Sequence, residues 1–377
     1  MEIDIVVGVR PNFMKIAPIT ERIKKVQQKD FDICYRLIHT GQHYDRNMSD
    51  SFFEELGIPE PDINLEAGGG TQAEQTAAIM VRYEKVLMEK QPDLVLVVGD
   101  VTSTMACSIT AKKMHNIRVA HVEGGIRSGD LTMPEEINRM VTDCITDYFF
   151  TTSETANENL RKSGIEDERI FFVGNTMIDT LYKQMPRFKQ PEIWKTAFLK
   201  EKNYLVLTLH RPANVDDGKN LKLLLENIID SSKNIPIIFP VHPRTNRLLQ
   251  HIGIKAANLY LTEPLSYLAF NYLVKHSKAV ITDSGGITEE TTVMNIPCIT
   301  LRDSTERPET CSMGTNELIG TNPAAVKPIL DKLFENKWKT GTIPPLWDGK
   351  TAERIINILL EVFAVKQLSN AWYNIAV

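Results

Sequence analysis

Acids, imidazoles and guanidinium groups recur in one setting along this chain, just past a short apolar run. Asp100 follows the run at 94–98, and Glu123 follows the run at 118–122. His210-Arg211 comes after 204–209, and His242, with Arg244 close by, comes after 235–240. Carboxyl groups suit acid–base work, while imidazole and guanidinium suit an anionic ligand. The stretch 279–308 adds an anion cradle. An apolar run at 279–282 stops at Asp283-Ser284-Gly285-Gly286, and a helix-compatible segment follows from Ile287. Two glycines let a ligand lie against backbone. The helix start behind them offers unpaired N–H groups and a partial positive charge, which suits a phosphate. Glu289 and Glu290 are placed in the first helical turn, to accept from a ribose diol or to favour the helix dipole. A second run, 297–301, ends in Arg302 and Glu306-Arg307. No lysine follows the glycines, so this is not a Walker A loop, and G-x-G-x-x-G is absent.

Each of these groups also has a plainer reading. Asp100 is a candidate helix N-cap. Glu135 and Glu136 behind Pro134 read as first-turn acids. Arg10 and Lys15, beside the Gly8–Pro11 turn, read either as a local ion pair and a surface charge or as a basic pair at a strand end. A single histidine is more often structural than catalytic. Two histidines past apolar runs, each near an arginine, are less easily dismissed as structural, because open α/β sheets bind ligands outside the carboxyl ends of their strands.

The elements that must position these groups are short buried strands alternating with helices. Runs at 3–7, 34–38, 94–98, 118–122, 148–151 and 170–173 read as parallel strands covered on both faces. Helical segments are expected at 13–26 and 72–89, with loop at 62–70. The Pro- and Lys-rich stretch 182–202 reads as a linker, and a second alternating series follows it. The expectation is an α/β protein with two doubly wound Rossmann-like domains whose strand ends face one cleft. The domains are 1–180 and 181–360, and a segment 361–377 crosses back to the first.

The 377 residues suit two domains at roughly 150 residues each. A net charge of −5 gives no signal for a nucleic-acid polymer or an anionic membrane as partner. No apolar run nears the ~18 residues needed to span a bilayer. The first strand begins without a basic leader, and the five cysteines form no C-x-x-C pair and sit mostly in apolar runs. These features read as reduced core thiols in a cytoplasmic protein.

From Ile3 to about Phe363 the chain resembles the non-hydrolysing UDP-N-acetylglucosamine 2-epimerases. The resemblance is carried, in order, by Gly8-Val9-Arg10-Pro11, Thr40-Gly41-Gln42-His43-Tyr44, Val98-Gly99-Asp100, His121-Val122-Glu123-Gly124-Gly125-Ile126-Arg127 and Met133-Pro134-Glu135-Glu136-Ile137-Asn138-Arg139. It continues through Gly174-Asn175-Thr176, Leu209-His210-Arg211-Pro212, Pro240-Val241-His242-Pro243, Asp283-Ser284-Gly285-Gly286 and Arg302 to Glu309. It implies the glycosyltransferase-B type of fold, homodimers, and no metal or redox cofactor. It implies that Ser284, Gly285, Gly286 and Arg307 bind a diphosphate with Arg10 and Lys15 nearby. Glu290 would hold the ribose, and Leu265 and Phe270 would line a uracil pocket. Asp100, Glu123, Glu135 and His210 match its catalytic positions, and His242 is expected among the substrate-binding groups.

Val9, Asn12, Val101 and Ala213 depart from the residues common in that family, which bears on the exact sugar. Gly68-Gly69-Gly70 stands where bacterial members carry an activator-site arginine, so substrate activation is expected to be weak or absent. The competing readings are a hydrolysing epimerase, a 2-epimerase of another UDP-sugar, a glycosyltransferase of the same fold, and a silent nucleotide-sugar binding protein.

Overall fold

The computed structural model describes residues 1–41, 55–241 and 243–375. Two compact units emerge, Met1–Thr180 with Pro345–Val377, and Leu181–Pro344.

In the first unit, seven parallel strands run in the order β3-β2-β1-β4-β5-β6-β7. They are β1 (Glu2–Val7), β2 (Cys34–His39), β3 (Ile63–Asn64), β4 (Leu94–Val98), β5 (Arg118–Val122), β6 (Tyr148–Thr151) and β7 (Ile170–Phe172). β4 is buried along its whole length, as its unbroken Leu-Val-Leu-Val-Val requires. Its longer described helices are α1 (Arg10–Gln27), α2 (Gln72–Glu89), α3 (Thr102–Lys113), α4 (Pro134–Ile145), α5 (Glu154–Lys162) and α6 (Thr176–Gln184). The strand order reverses between β1 and β4, whose register pairs Ile3 with Leu94. Loops leaving the two strands there part to opposite sides and open a crevice, the usual ligand position in a doubly wound sheet.

The second unit repeats the plan with six parallel strands in the order β10-β9-β8-β11-β12-β13. These are β8 (Leu205–Thr208), β9 (Ile237–Pro240), β10 (Leu259–Thr262), β11 (Ala279–Thr282), β12 (Cys298–Thr300) and β13 (Asn316–Leu318). Its longer helices are α7 (Gly218–Ser231), α8 (Pro243–Ile252), α9 (Tyr267–His276), α10 (Gly285–Val293) and α11 (Val326–Phe334). The reversal falls between β8 and β11, where Thr282 pairs with Thr208. The chain then rejoins the first unit, where α12 (Thr351–Ile375) packs on α1 and Glu353 pairs with Arg22 at 2.9 Å.

Several expectations need correction. α1 starts at Arg10, not Phe13, because buried Asn12 takes over the helix start. Its Oδ1 accepts from the N–H of Gly8 at 3.1 Å and of Val9 at 3.2 Å. α10 starts at Gly285, so Glu289 and Glu290 lie in its second turn, buried, rather than in the first. Asp100 is not a helix cap, since Val101 holds that position before α3. Loop 62–70 contains the short β3. Of the five cysteines only Cys107 and Cys298 are buried. Cys34 and Cys144 are exposed and Cys311 is half-buried. Gln42, His43, Tyr44 and His242 lie outside the described residues.

Candidate functional site

Each unit gathers its polar groups past its own switch point. In the first unit, β1, β4 and β5 end side by side. Lys15, in the second turn of α1, donates to Glu123 Oε2 at 2.6 Å, with Glu123 buried and Lys15 nearly so. A Cβ added at Gly99 would lie 3.2 Å from Lys15 Nζ and 3.7 Å from Glu123 Oε2, so three strand ends converge on one spot. Glu123 adopts φ +73°, a conformation costly for a non-glycine residue. Its N–H is tied to the Phe150 carbonyl at 2.9 Å, which holds it there. Asn12 Nδ2 reaches the Val98 carbonyl at 3.2 Å and locks α1 to the end of β4.

α4 brackets the other acid. Arg139 pairs with the half-buried Asp100 side chain, and Asn138 Nδ2 donates to the Asp100 carbonyl at 2.8 Å. Glu136 carries the loop before α4, accepting from Ser128 N–H at 2.9 Å, Ser128 Oγ at 3.0 Å and Gly129 N–H at 3.1 Å. Burial pushes the Glu136 carboxyl up. The Ser128 and Gly129 N–H groups, the Ser128 hydroxyl and Arg139 outweigh that and hold it below its ordinary value. Glu135 is half-buried one residue earlier. Of the adjacent acids, Glu136 thus builds the loop, and Glu135 is left with a surface to present. Arg10, at the first position of α1, is exposed.

In the second unit the organiser is Asp283, fully buried past β11. It accepts from the N–H of Arg211 at 2.9 Å, from the N–H of His210 at 3.0 Å, from Asn214 Nδ2 at 3.1 Å and from His210 Nδ1 at 2.7 Å. Burial raises its carboxyl, but His210, the Arg211 N–H and Asn214 hold it below its ordinary value. One carboxylate therefore joins the ends of β8 and β11 and leaves the His210 ring, 60% exposed, turned outward.

Past Asp283, Ser284 caps α10 without a side-chain bond, and Ser284, Gly285 and Gly286 are half-buried. Neither glycine takes a positive φ. A Cβ on Gly286 would meet no atom of the described residues within 4 Å, and one on Gly285 would sit 3.7 Å from Arg302 Nη1 and Glu306 Oε2. Backbone strain therefore does not call for glycine here. What glycine supplies is bare backbone at the N-terminus of a nine-residue helix. Arg302 forks onto Glu306 with both bonds at 2.7 Å, and Arg211 approaches the same carboxylate at 3.8 Å.

Behind the cradle lies a buried acid cluster. Glu289 pairs with the buried Arg307. Glu290 accepts from the Tyr267 hydroxyl at 2.6 Å. Burial pushes the Glu290 carboxyl up to about 7, with Tyr267 opposing and Glu289 adding to the rise. Burial likewise lifts Glu309 to about 7 against the pull of Arg307. Leu265 and Phe270 are half-buried and pack, with Ile287, on the same apolar cluster at the start of α9 and α10. Sequence reasoning had singled out neither Asn12, Asp143, Arg139, Tyr267 nor Asp283 as an organiser. Asp283 stood inside a quoted motif, and its strand-end position was the available signal.

These two doubly wound parallel sheets, each with its polar groups past a switch point, define an α/β protein of glycosyltransferase-B type. The profile of the UDP-N-acetylglucosamine 2-epimerases matches residues 24–360. The UDP-N-acetylglucosamine 2-epimerase of Methanocaldococcus jannaschii is 40% identical over 95% of this chain and 99% of its own. The crystal structure of that organism's UDP-GlcNAc 2-epimerase in complex with UDP-GlcNAc and UDP superposes with a TM-score of 0.83, over 96% of this chain and 100% of that one, at 39% identity. The UDP-2,3-diacetamido-2,3-dideoxy-D-glucuronate 2-epimerase of Pseudomonas aeruginosa is 37% identical over 85% of this chain and 88% of its own. The chain belongs to the UDP-N-acetylglucosamine 2-epimerase family.

Proposed function

We propose that this protein interconverts UDP-N-acetylglucosamine and UDP-N-acetylmannosamine by eliminating UDP and adding it back, without net hydrolysis. The C2 proton passes to one carboxylate while the C1–O bond breaks toward UDP, leaving a C1–C2 double bond. UDP re-adds at C1, and a second carboxyl returns a proton to the opposite face of C2. Asp100 and Glu123 serve as the two acid–base groups, with Glu135 in support. Arg10 and His210 stabilise the leaving diphosphate, with Lys15 nearby and His242 among the substrate-binding groups. Ser284, Gly285, Gly286 and Arg307 bind the diphosphate, Glu290 the ribose, and Leu265 and Phe270 the uracil.

The observation that carries this reading is the bare backbone at Gly285–Gly286 in a chain whose other unit places two differently partnered acids past its switch point. Such acids suit opposite proton-transfer roles. The test is incubation with UDP-GlcNAc in deuterated water, followed by proton NMR. The expected result is deuterium at C2 of both sugars and UDP-ManNAc at equilibrium. Asp100→Asn and Glu123→Gln should slow exchange by about 10²–10⁴-fold and spare UDP binding. Free ManNAc accumulating in step with UDP would establish hydrolysis instead. The Pseudomonas relative supports a second reading, the same reaction on a diacetamido-uronic acid. Faster turnover of that sugar in a direct competition would select it.

A homodimer fits one surface of the first unit. Ile137, Met140, Val141, Cys144 and Ile145 recur at helical spacing on the outer face of α4, with Ile137 and Met140 over 40% exposed. Such a stripe on a surface helix suits association with a second copy. Light scattering should give twice the chain mass, falling to one chain mass in Met140→Glu. A monomeric wild type removes this part of the reading.

A further inference from the structure

His121, on β5 two residues before Glu123, has no role in the chemistry above. It is fully buried between the two turns that carry the acids. Its Nδ1 lies 2.7 Å from Asp143 Oδ1, and its Nε2 lies 2.8 Å from the Gly99 carbonyl oxygen. Asp143, on α4, also accepts from the Gly125 N–H at 3.1 Å and from Arg127 Nη1 at 2.6 Å. Three donors converge on that carboxylate. Burial raises its carboxyl, but His121 and Arg127 outweigh this and hold it below its ordinary value. An ionised carboxylate only accepts, and so does a carbonyl. A neutral imidazole carries one N–H and would turn a lone pair toward one of these two oxygens at hydrogen-bond distance. Both contacts are satisfied only if both ring nitrogens donate.

The contacts also have a direction. Gly99 precedes Asp100, and the Gly125 N–H follows Glu123. The imidazole grips the first turn and, through Asp143, the second. α4 grips the Asp100 turn again through Asn138. The β4–β5 ladder already brings the turns together, with the Gly99 N–H donating to the Val122 carbonyl at 3.1 Å, and the ring and the carboxylate beneath them fix the acids beyond the end of that ladder.

We infer that His121 is held as an imidazolium donating from both nitrogens, and that it is a positioning residue fixing the spacing of the Asp100 and Glu123 turns. The catalytic half of this inference rests on the epimerase reading, and the imidazolium half does not. The test uses the full-length protein with ring-labelled histidine. His121, assigned by the loss of its signals in His121→Gln, should show a proton on each ring nitrogen. A single ring N–H overturns the imidazolium.

Kinetics decide the positioning. A misplaced acid costs on the order of 10²-fold in turnover. His121→Phe and Asp143→Asn should each lower kcat by about that factor, with KM for UDP-GlcNAc unchanged and C2 exchange falling in parallel. His121→Gln keeps one donor for the Gly99 carbonyl and should recover part of the loss. A purely structural histidine would instead lower the folded fraction and leave kcat per folded molecule intact, as would be seen if Asp143→Asn kept full turnover; either outcome overturns the positioning role. A wild type inactive on UDP-GlcNAc would sink the epimerase reading, and the ring protons, read without substrate, would still decide the imidazolium.

Discussion

Glu290 is the residue where burial and function pull apart. Its folded carboxyl stands at about 7, above the unfolded 4.5, because burial disfavours its charge. A raised carboxyl favours folding while it is protonated. That contribution is whole below about 4.5 and is lost as pH rises through about 7. Glu290→Gln keeps the shape and an oxygen for the Tyr267 hydroxyl, and removes the charge. It should therefore raise the melting temperature at pH 8 and change it little at pH 5. The same variant should weaken UDP binding at pH 8 by about 1.5–3 kcal/mol, the worth of a hydrogen bond to a charged group. Equal melting of the two proteins at pH 8 would show that the site does not strain this carboxyl. None of this was legible in the sequence, where Glu290 read as an acid near a helix start. Its partners, Tyr267 and Asn271, lie some twenty residues upstream and nothing local announces them.

At the scale of elements, strands were legible and helix starts were not. β4 and β11 are unbroken apolar runs ending in a polar turn, and parallel strands buried on both faces have that composition. β13, Asn-Glu-Leu, has no such signature and is a strand because the edge of β12 receives it. α1 and α10 began earlier than their apolar periodicity suggested. In α1 a residue inside the helix, Asn12, reaches back to the N–H groups of Gly8 and Val9 and fixes the turn that enters it. In α10 the N-cap Ser284 makes no side-chain cap bond, and among the described residues the first N–H groups of the helix are left for a ligand. That difference yields a prediction. Gly286→Ala adds a methyl group where no atom of the described residues lies within 4 Å and where φ is not positive. Replacing glycine by alanine at a compatible position stabilises by about 0.4–1 kcal/mol. The variant should therefore melt no lower than wild type, while calorimetry shows UDP bound at least tenfold more weakly. A variant that binds UDP normally would show that the diphosphate does not approach this backbone.

For the whole molecule, the two sheets have separate cores and the chain passes between units twice, at 180–181 and 344–345. The returning chain is clamped onto the first unit before α12 begins. Trp347, 1% exposed, donates from Nε1 to the Thr152 carbonyl at 3.0 Å. Asp179, from α6, accepts from the N–H groups of Thr351 at 3.1 Å and Ala352 at 2.8 Å, capping α12 from another element. Gly174 lies so close that a Cβ there would come within 2.1 Å of the Leu346 carbonyl oxygen, so only glycine lets the two segments meet. Helix α12 then buries Ile355, Ile356 and Leu359. Trp347→Ala removes the largest buried side chain of this clamp and should cost about 3–5 kcal/mol. With two separate cores, the loss should be confined. Hydrogen exchange followed by mass spectrometry should show faster exchange in α1, α6 and α12 of the variant, with β8 and β11 unchanged. UDP should still slow exchange in α10, since the cradle and the buried acids behind it all belong to the second unit. Exchange rising equally in both units would mean that they unfold as one, and that the clamp stabilises the molecule and not just the unit it closes.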